Sequence, residues 1–189
     1  MTRMGSLGPP SAPLVESFEE FYRLTAPRTF RAVLRIAAGD SYIAQDATQE
    51  AYCQMLRLWS HRQHVSSEDN RKYVLGIASK KVMDVYRRQR KLADLDDELE
   101  AWAQEDIHLA AVLDELTVLR VVRELIAQQP PRRRAVAVLF FIEEFNYDEV
   151  AYALTMSKST VRTHVERLRA VLKPGLDQLN QTDQGGERQ

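Results

Sequence analysis

The side chains best placed to do chemistry lie near the C-terminus. At 100° per residue, Val161, Val165 and Leu168 fall on one face of a helix capped by Ser157, and Ser159, Arg162, Thr163, Glu166 and Arg167 fall on the other. Arg suits guanine edges or phosphate, Thr suits several base edges, and Glu accepts from the cytosine amine. Before this helix, Asn146-x-x-Glu149 has the form of a capping box opening a short helix, and Thr155-Met156-Ser157 is a tight turn. Short helix, turn and amphipathic helix make the helix-turn-helix layout, whose second helix enters the major groove. An ordinary helical hairpin with a solvated face shares the pattern, and the turn lacks the glycine often found there.

Two further clusters lie upstream. Lys80, Lys81, Arg87, Arg88 and Arg90 follow one helix, with Tyr73 and Tyr86 interleaved. Cations beside aromatics suit unpaired nucleic acid, neutralising phosphates and stacking bases. A solvated helix end has the same composition, because the macrodipole favours positive charge there. Asp84 stands four residues from both Lys80 and Arg88, the spacing of surface ion pairs. The second cluster is anionic. Asp46 and Glu50 are at i,i+4 with Gln49 beside them, a polar face opposite the apolar Met55/Leu58 face. Such a face can meet a basic surface through charge-assisted hydrogen bonds.

Catalytic and metal chemistry fits poorly. His61-x-x-His64 near Cys53 has no fourth ligand nearby, so loop histidines and a buried thiol are expected. There is no Gly-rich phosphate loop, nucleophile elbow or zinc-protease motif. The acidic run Asp94 to Glu100 lacks the glycine and spacing of a calcium loop. No enzyme activity, cofactor or metal is expected. With Cys53 the only cysteine, a disulfide framework is excluded. No apolar run nears the ~18 residues of a membrane helix, and Met1 to Pro13 has no apolar core for a secretion signal. A cytoplasmic, nucleoid-associated protein is expected.

The elements that must hold these clusters read as helices throughout. Phe18, Phe21, Tyr22 and Thr25 form a stripe, continued by Phe30, Val33, Leu34 and Ala37 after Pro27 and broken at Gly39-Asp40. Ala44, Ala47, Ala51, Met55 and Leu58 mark a second helix, and His61 to Ser67 reads as loop. Asp69 or Asn70 can cap a third, reaching Arg90 and buried through Val74, Ile77, Ala78, Val82 and Val85. Val118 to Ile126 is helical in period, and Pro130-Pro131 starts a helix running to about Phe145.

The net charge of -1 hides a pattern. Residues 14–90 carry 13 basic and 9 acidic side chains, residues 91–116 carry 1 and 9, and residues 117–173 carry 10 and 6. Two basic blocks around an acidic one suggest two modules and a linker, with a polyanion as partner. The expected fold is all-α: two small helical domains joined by an acidic linker, the C-terminal one containing the helix-turn-helix. A disordered tail, residues 1–13, and a polar tail, residues 174–189, flank them.

With these blocks placed, the chain resembles the extracytoplasmic-function (ECF) sigma factors of bacterial RNA polymerase. AQDATQEAY at 44–52 is similar to the family's A-x-D-x-x-Q-E-x-F segment, which grips the clamp coiled coil of the β′ subunit. YVLGIASKKVMDVYRR at 73–88 resembles the helix that opens and reads the minus-ten promoter element. NYDEVAYALTMSKSTVRTHVERLR at 146–169 resembles the helix-turn-helix that binds the minus-thirty-five element. The resemblance implies polymerase contacts from Asp46, Gln49 and Glu50, and minus-ten contacts from Tyr73, Lys80, Lys81, Arg87 and Arg88. It implies minus-thirty-five contacts from Lys158, Ser159, Arg162, Thr163, Glu166 and Arg167. Implied partners are core RNA polymerase (β′ and β subunits) and promoter DNA, with an anti-sigma factor a further partner the family admits. Lys80 stands where the family usually has Asn, Tyr73 where it has Trp, and Ser159 and Glu166 also depart from its recognition helix. A regulator using only the helix-turn-helix is the alternative, since VRTHVERL is also similar to response-regulator DNA-binding domains.

Overall fold

A computed structural model describes residues 17–93 and 122–185, and every regular element among them is helical. The N-terminal tail expected at 1–13, most of the acidic linker, and Val118 and Val121 lie outside the described residues. In the first module α1 spans Phe18–Ile36, α2 Ser41–Arg62 and α3 Ser67–Ala93. In the second, residues 122–127 form α4, followed by α5 (Pro131–Ala137), a π-helical turn (Val138–Ile142), α6 (Tyr147–Leu154) and α7 (Lys158–Gly185).

Pro27 does not split the first apolar stripe, because α1 runs through it. One lost backbone bond is outweighed where the flanking turns pack: Phe21, Val33 and Ile36 are fully buried. Gly39 (φ 87°) makes the turn, and Asp40 caps α2 by accepting from the Ile43 N–H at 2.9 Å. The buried face of α2 is built of Ala44, Ala47, Ala51 and Met55, whereas Leu58 is 37% exposed and leaves the stripe. Phe21 stacks on Trp59 at 5.2 Å between ring centroids. The Tyr52 hydroxyl sits between those of Thr25 (2.8 Å) and Thr29 (3.1 Å), and burial pushes its pKa up.

The expected loop from His61 to Ser67 contracts to 63–66. Neither Asp69 nor Asn70 caps α3. Ser66 accepts from the Asp69 N–H at 3.1 Å, while Asn70 is buried and donates to the Arg62 and Val65 carbonyls. A buried amide with these backbone partners closes the loop instead of starting the helix. In α3 the core residues are Val74, Leu75, Ala78 and Val82, with Ile77 and Val85 only half-buried.

The second module follows the sequence expectation closely until Ile142. There the π turn pairs Glu143 N–H with the Val138 carbonyl and Phe145 N–H with that of Leu139, both at 3.0 Å. The widened turn ends the helix before Phe145 and turns Glu143 inward, to 3% exposure. The Asn146/Glu149 capping box forms as the spacing predicts. Thr155, with φ 53°, takes the left-handed position that glycine usually fills. α7 also runs past Pro174-Gly175 to Gly185, so 174–185 is helical where a polar tail was expected. The proline removes only one backbone donor there.

Both modules share one continuous core. Val150 and Ala153 of α6 lie in the same buried cluster as Val74 and Ala78 of α3.

Candidate nucleic-acid interface

The final helix presents the face that its spacing predicts. Val161, Val165 and Leu168 are sealed against the module, at 1% exposure or less. Lys158, Ser159, Arg162, Thr163, Glu166 and Arg167 are all exposed. Ser157 caps α7 through the Thr160 N–H at 3.1 Å, which fixes where the first turn begins. Lys158 is held by Asp148 at 2.8 Å, and the Arg162 guanidinium lies 5.8 Å from the Tyr147 ring centre. Thr163 turns its hydroxyl back to the Ser159 carbonyl, 3.1 Å away.

Residues missed in the sequence enlarge this basic surface. Arg132 and Arg133 open α5, and their charges, with that of Arg167, act on His164. Desolvation first, then these guanidinium groups, hold the imidazole pKa below its ordinary value. The Arg132-Arg133-Arg134 run after Pro130-Pro131 was the available signal. Its third member behaves differently: Arg134 is buried, and desolvation lowers its pKa.

On α3 the expected cluster divides. Tyr73, Lys80 and Arg87 lie seven residues apart on one stripe, with Lys81 and Arg88 on the neighbouring one. Lys80, Arg87 and Arg88 are exposed and Lys81 is half-buried. Asp84 pairs with Arg87 at 2.9 Å, at i,i+3, instead of with Lys80 or Arg88. Tyr73 carries the Arg62 guanidinium 4.1 Å from its ring centre. Tyr86 is engaged by a cation of another helix; its hydroxyl accepts from Arg134 of α5 at 3.1 Å. A cleft of about 770 Å³ lies beside the contact of α3 with α6, lined among others by Tyr73, Ile77, Lys80, Tyr152 and Met156.

On α2, Asp46 and Gln49 are exposed, and Glu50 is half-buried and accepts from Gln54 at 3.1 Å. Exposed Tyr42, Cys53 and Leu56 extend the same face, so 42, 46, 49, 53 and 56 form an uncovered stripe at alternating steps of four and three. That period matches the seam of a coiled coil. Cys53 therefore belongs to this stripe and is not the buried thiol the sequence implied.

Comparison with known proteins places the chain in a family. Residues 119–172 match the family model described as Sigma-70, region 4. The chain is 32% identical over 152 residues to the ECF RNA polymerase sigma factor SigX of Bacillus subtilis, covering 75% of each protein. It is 25% identical over 159 residues to the ECF RNA polymerase sigma factor SigE of Mycolicibacterium smegmatis, covering 83% of this chain but 60% of that relative's length. The fold is similar to that of the sigma factor RpoE from Bartonella quintana, solved in complex with the anti-sigma factor NepR. The TM-score is 0.60 at 16% identity, over 86% of this chain and 98% of that one. Identity of this extent to the Bacillus protein, together with the region 4 match, shows that the chain belongs to the ECF RNA polymerase sigma factors.

Proposed function

We propose that the chain docks on core RNA polymerase through the exposed stripe of α2 and directs it to promoters. In this reading Lys80, Lys81, Arg87 and Arg88 of α3 take the melted minus-ten strand, and the outer face of α7 reads the minus-thirty-five duplex. The chain performs no catalysis itself. The observation that carries the reading is the uncovered face of α2. Tyr42, Asp46, Gln49, Cys53 and Leu56 give a polar, anionic centre between apolar ends at coiled-coil spacing. A regulator that bound DNA alone would have no use for it.

The test is capture of core polymerase by the wild-type chain and by Asp46→Arg/Glu50→Arg. Each charge-assisted hydrogen bond contributes about 1.5–3 kcal/mol. Losing two weakens binding by at least ~100-fold, since 1.4 kcal/mol is tenfold. Helix content should not change, because Asp46 is exposed and Glu50 only half-buried. Undiminished capture by the folded double variant would overturn the assignment. Run-off transcription from a promoter library then tests initiation and base preference together.

A further inference from the structure

Beside its outer face, α7 carries a half-buried histidine on one flank. At 100° per residue from the inward line Val161/Val165/Leu168, His164 stands about 70° to one side, with Arg167 beyond it at about 130°. Arg162 and the Tyr147 ring lie on the other flank. α5 packs on α7, and from there Arg132 and Arg133 bring their charges to bear on His164. Arg167 does the same from α7 itself, and no carboxylate is among the groups acting on the ring. Among the described residues, none of these three guanidinium groups has an ion pair. Two polar atoms of the cluster, His164 Nδ1 and Arg133 Nε, are also enclosed without a hydrogen-bond partner. Arg133 is held at its tip by one bond, Nη1 to Gln129 Oε1 at 3.3 Å, which is long for an N–H···O bond and leaves the guanidinium able to turn.

We propose that His164, Arg132 and Arg133 form a seat for one backbone phosphate of the minus-thirty-five duplex, beside the phosphate taken by Arg167, and that the seat tightens when His164 takes up a proton. The inference rests on the sigma-factor reading and adds a proton-linked contact to it. An α-helix about 10–12 Å across fills a major groove about 12 Å wide, so its flanks are what meet the two phosphate strands. His164 and Arg167 stand on one such flank, and α5 adds Arg132 and Arg133 to it. Cations without a counter-charge favour an anion there. The unmet Nε–H of Arg133 is a donor that a phosphate oxygen satisfies once the guanidinium turns.

Electrostatics fixes the sign of the proton linkage. In the free chain desolvation, then the charges of Arg133, Arg167 and Arg132, hold the imidazole pKa below its ordinary value. A phosphate in the seat offsets those charges and raises it. An anion that favours the imidazolium must, by reciprocity, bind more tightly when the ring is protonated. Affinity therefore rises as pH falls through the pKa of the bound ring, and levels off below that of the free ring.

The experiment compares reconstituted holoenzyme carrying the wild-type chain with holoenzyme carrying His164→Gln, on one promoter duplex at about pH 8 and about pH 6. The quantity read is the ratio of wild-type to variant affinity, in which the pH response of the polymerase itself cancels. That ratio should rise about tenfold from the higher pH to the lower, the size of one partly screened charge pair. A ratio that stays constant or falls would overturn the proposal. With Arg132→Gln/Arg133→Gln in both chains, binding should weaken on all sequences alike and the salt slope should drop by about one. The rise on acidification should then shrink to less than about twofold, and a full rise would overturn the shared seat. If wild-type holoenzyme binds no promoter, the sigma-factor reading fails instead, and the free full chain decides whether the seat exists. Its histidine ring resonances are titrated in sulfate and in chloride at equal ionic strength. Sulfate should move the midpoint of His164 upward relative to those of the exposed His61 and His64. Equal movement of all three would overturn the seat.

Discussion

Arg162 and Arg167 offer the sharpest test of whether the final helix reads DNA as proposed. Both are exposed, yet they stand at different depths along α7. Arg162 lies in the second turn after the Ser157 cap, where helix-turn-helix proteins approach base edges. Arg167 is more than a turn further on, where the helix leaves the groove floor. Among the described residues Arg162 meets the Tyr147 ring face, 5.8 Å away. Removing it should therefore cost the fold about 0.5 kcal/mol, the size of an exposed cation–π contact. On DNA, a bidentate Arg–guanine pair is worth about 1–3 kcal/mol of discrimination, or roughly 5- to 150-fold at one position. A phosphate contact carries no sequence information but contributes about 0.9 to the slope of log K against log salt. Hence Arg162→Ala should flatten preference at one or two adjacent positions of the minus-thirty-five element. Arg167→Ala should weaken binding on all sequences alike and lower the salt slope by about one. The assay is selection by reconstituted holoenzyme from duplexes randomised at that element, repeated at two salt concentrations. An unchanged base-preference profile for Arg162→Ala would refute the reasoning, because it would leave Arg162 at most a phosphate contact.

Three perturbations test the scaffold behind these surfaces. Tyr52→Phe deletes the hydroxyl between Thr25 and Thr29, both buried, and should destabilise the chain by about 1–2 kcal/mol, read as a lower urea midpoint. A change under 0.3 kcal/mol, below the ~0.5 expected of the weakest hydrogen bond, would mean that the network contributes nothing net. Thr155→Gly relieves a β-branched residue at φ 53° and should add about 1 kcal/mol, seen as a melting temperature 2–4 °C higher. A lower melting temperature would contradict the strain argument. His164 has a depressed pKa, so the unfolded chain binds its proton first. Its contribution is fully present above the unfolded value near 6.5 and is lost as pH falls through the folded value. His164→Gln should thus flatten the acid side of the stability profile below pH ~6.5, and identical wild-type and variant profiles there would show no linkage.

What could be read from the sequence was whatever a helix decides within a few residues. The inward line Val161/Val165/Leu168 and the outward set Arg162/Thr163/Glu166/Arg167 follow from helical pitch alone, and the structure keeps every one in place. The Asn146/Glu149 box is equally local, because both partners reach only three residues. Errors began where two local solutions competed. Ser66, Asp69 and Asn70 can each cap a helix start, and the choice fell to Ser66 because Asn70 found buried carbonyls of Arg62 and Val65. Tyr86 stands among cations in the sequence but turns to Arg134, a partner 48 residues away. Only packing decides between such faces.

A pattern of polar and apolar residues assigns every charged side chain to the surface, and so it passes over Arg71, Arg134 and Glu143. All three are buried, and their partners are distant in sequence: Arg71 meets Glu143 across 72 residues, and Arg134 meets Ile36 across 98. No local period can encode such pairs. Arg71 and Glu143 are tolerated because each meets the other, since breaking a buried pair would cost about 3–5 kcal/mol, whereas Arg134 is held by backbone carbonyls and the Tyr86 hydroxyl. The residues invisible to periodicity are thus the ones that join the modules, whereas the legible ones build each module and its outward face. Module identity and module arrangement are written in different chemistry here. Apolar spacing specifies the first, and buried charges together with the apolar contacts between α3 and α6 specify the second. Those charges can be changed without touching the α2 stripe or the outer face of α7, so the arrangement of the modules can be altered separately from what each one binds.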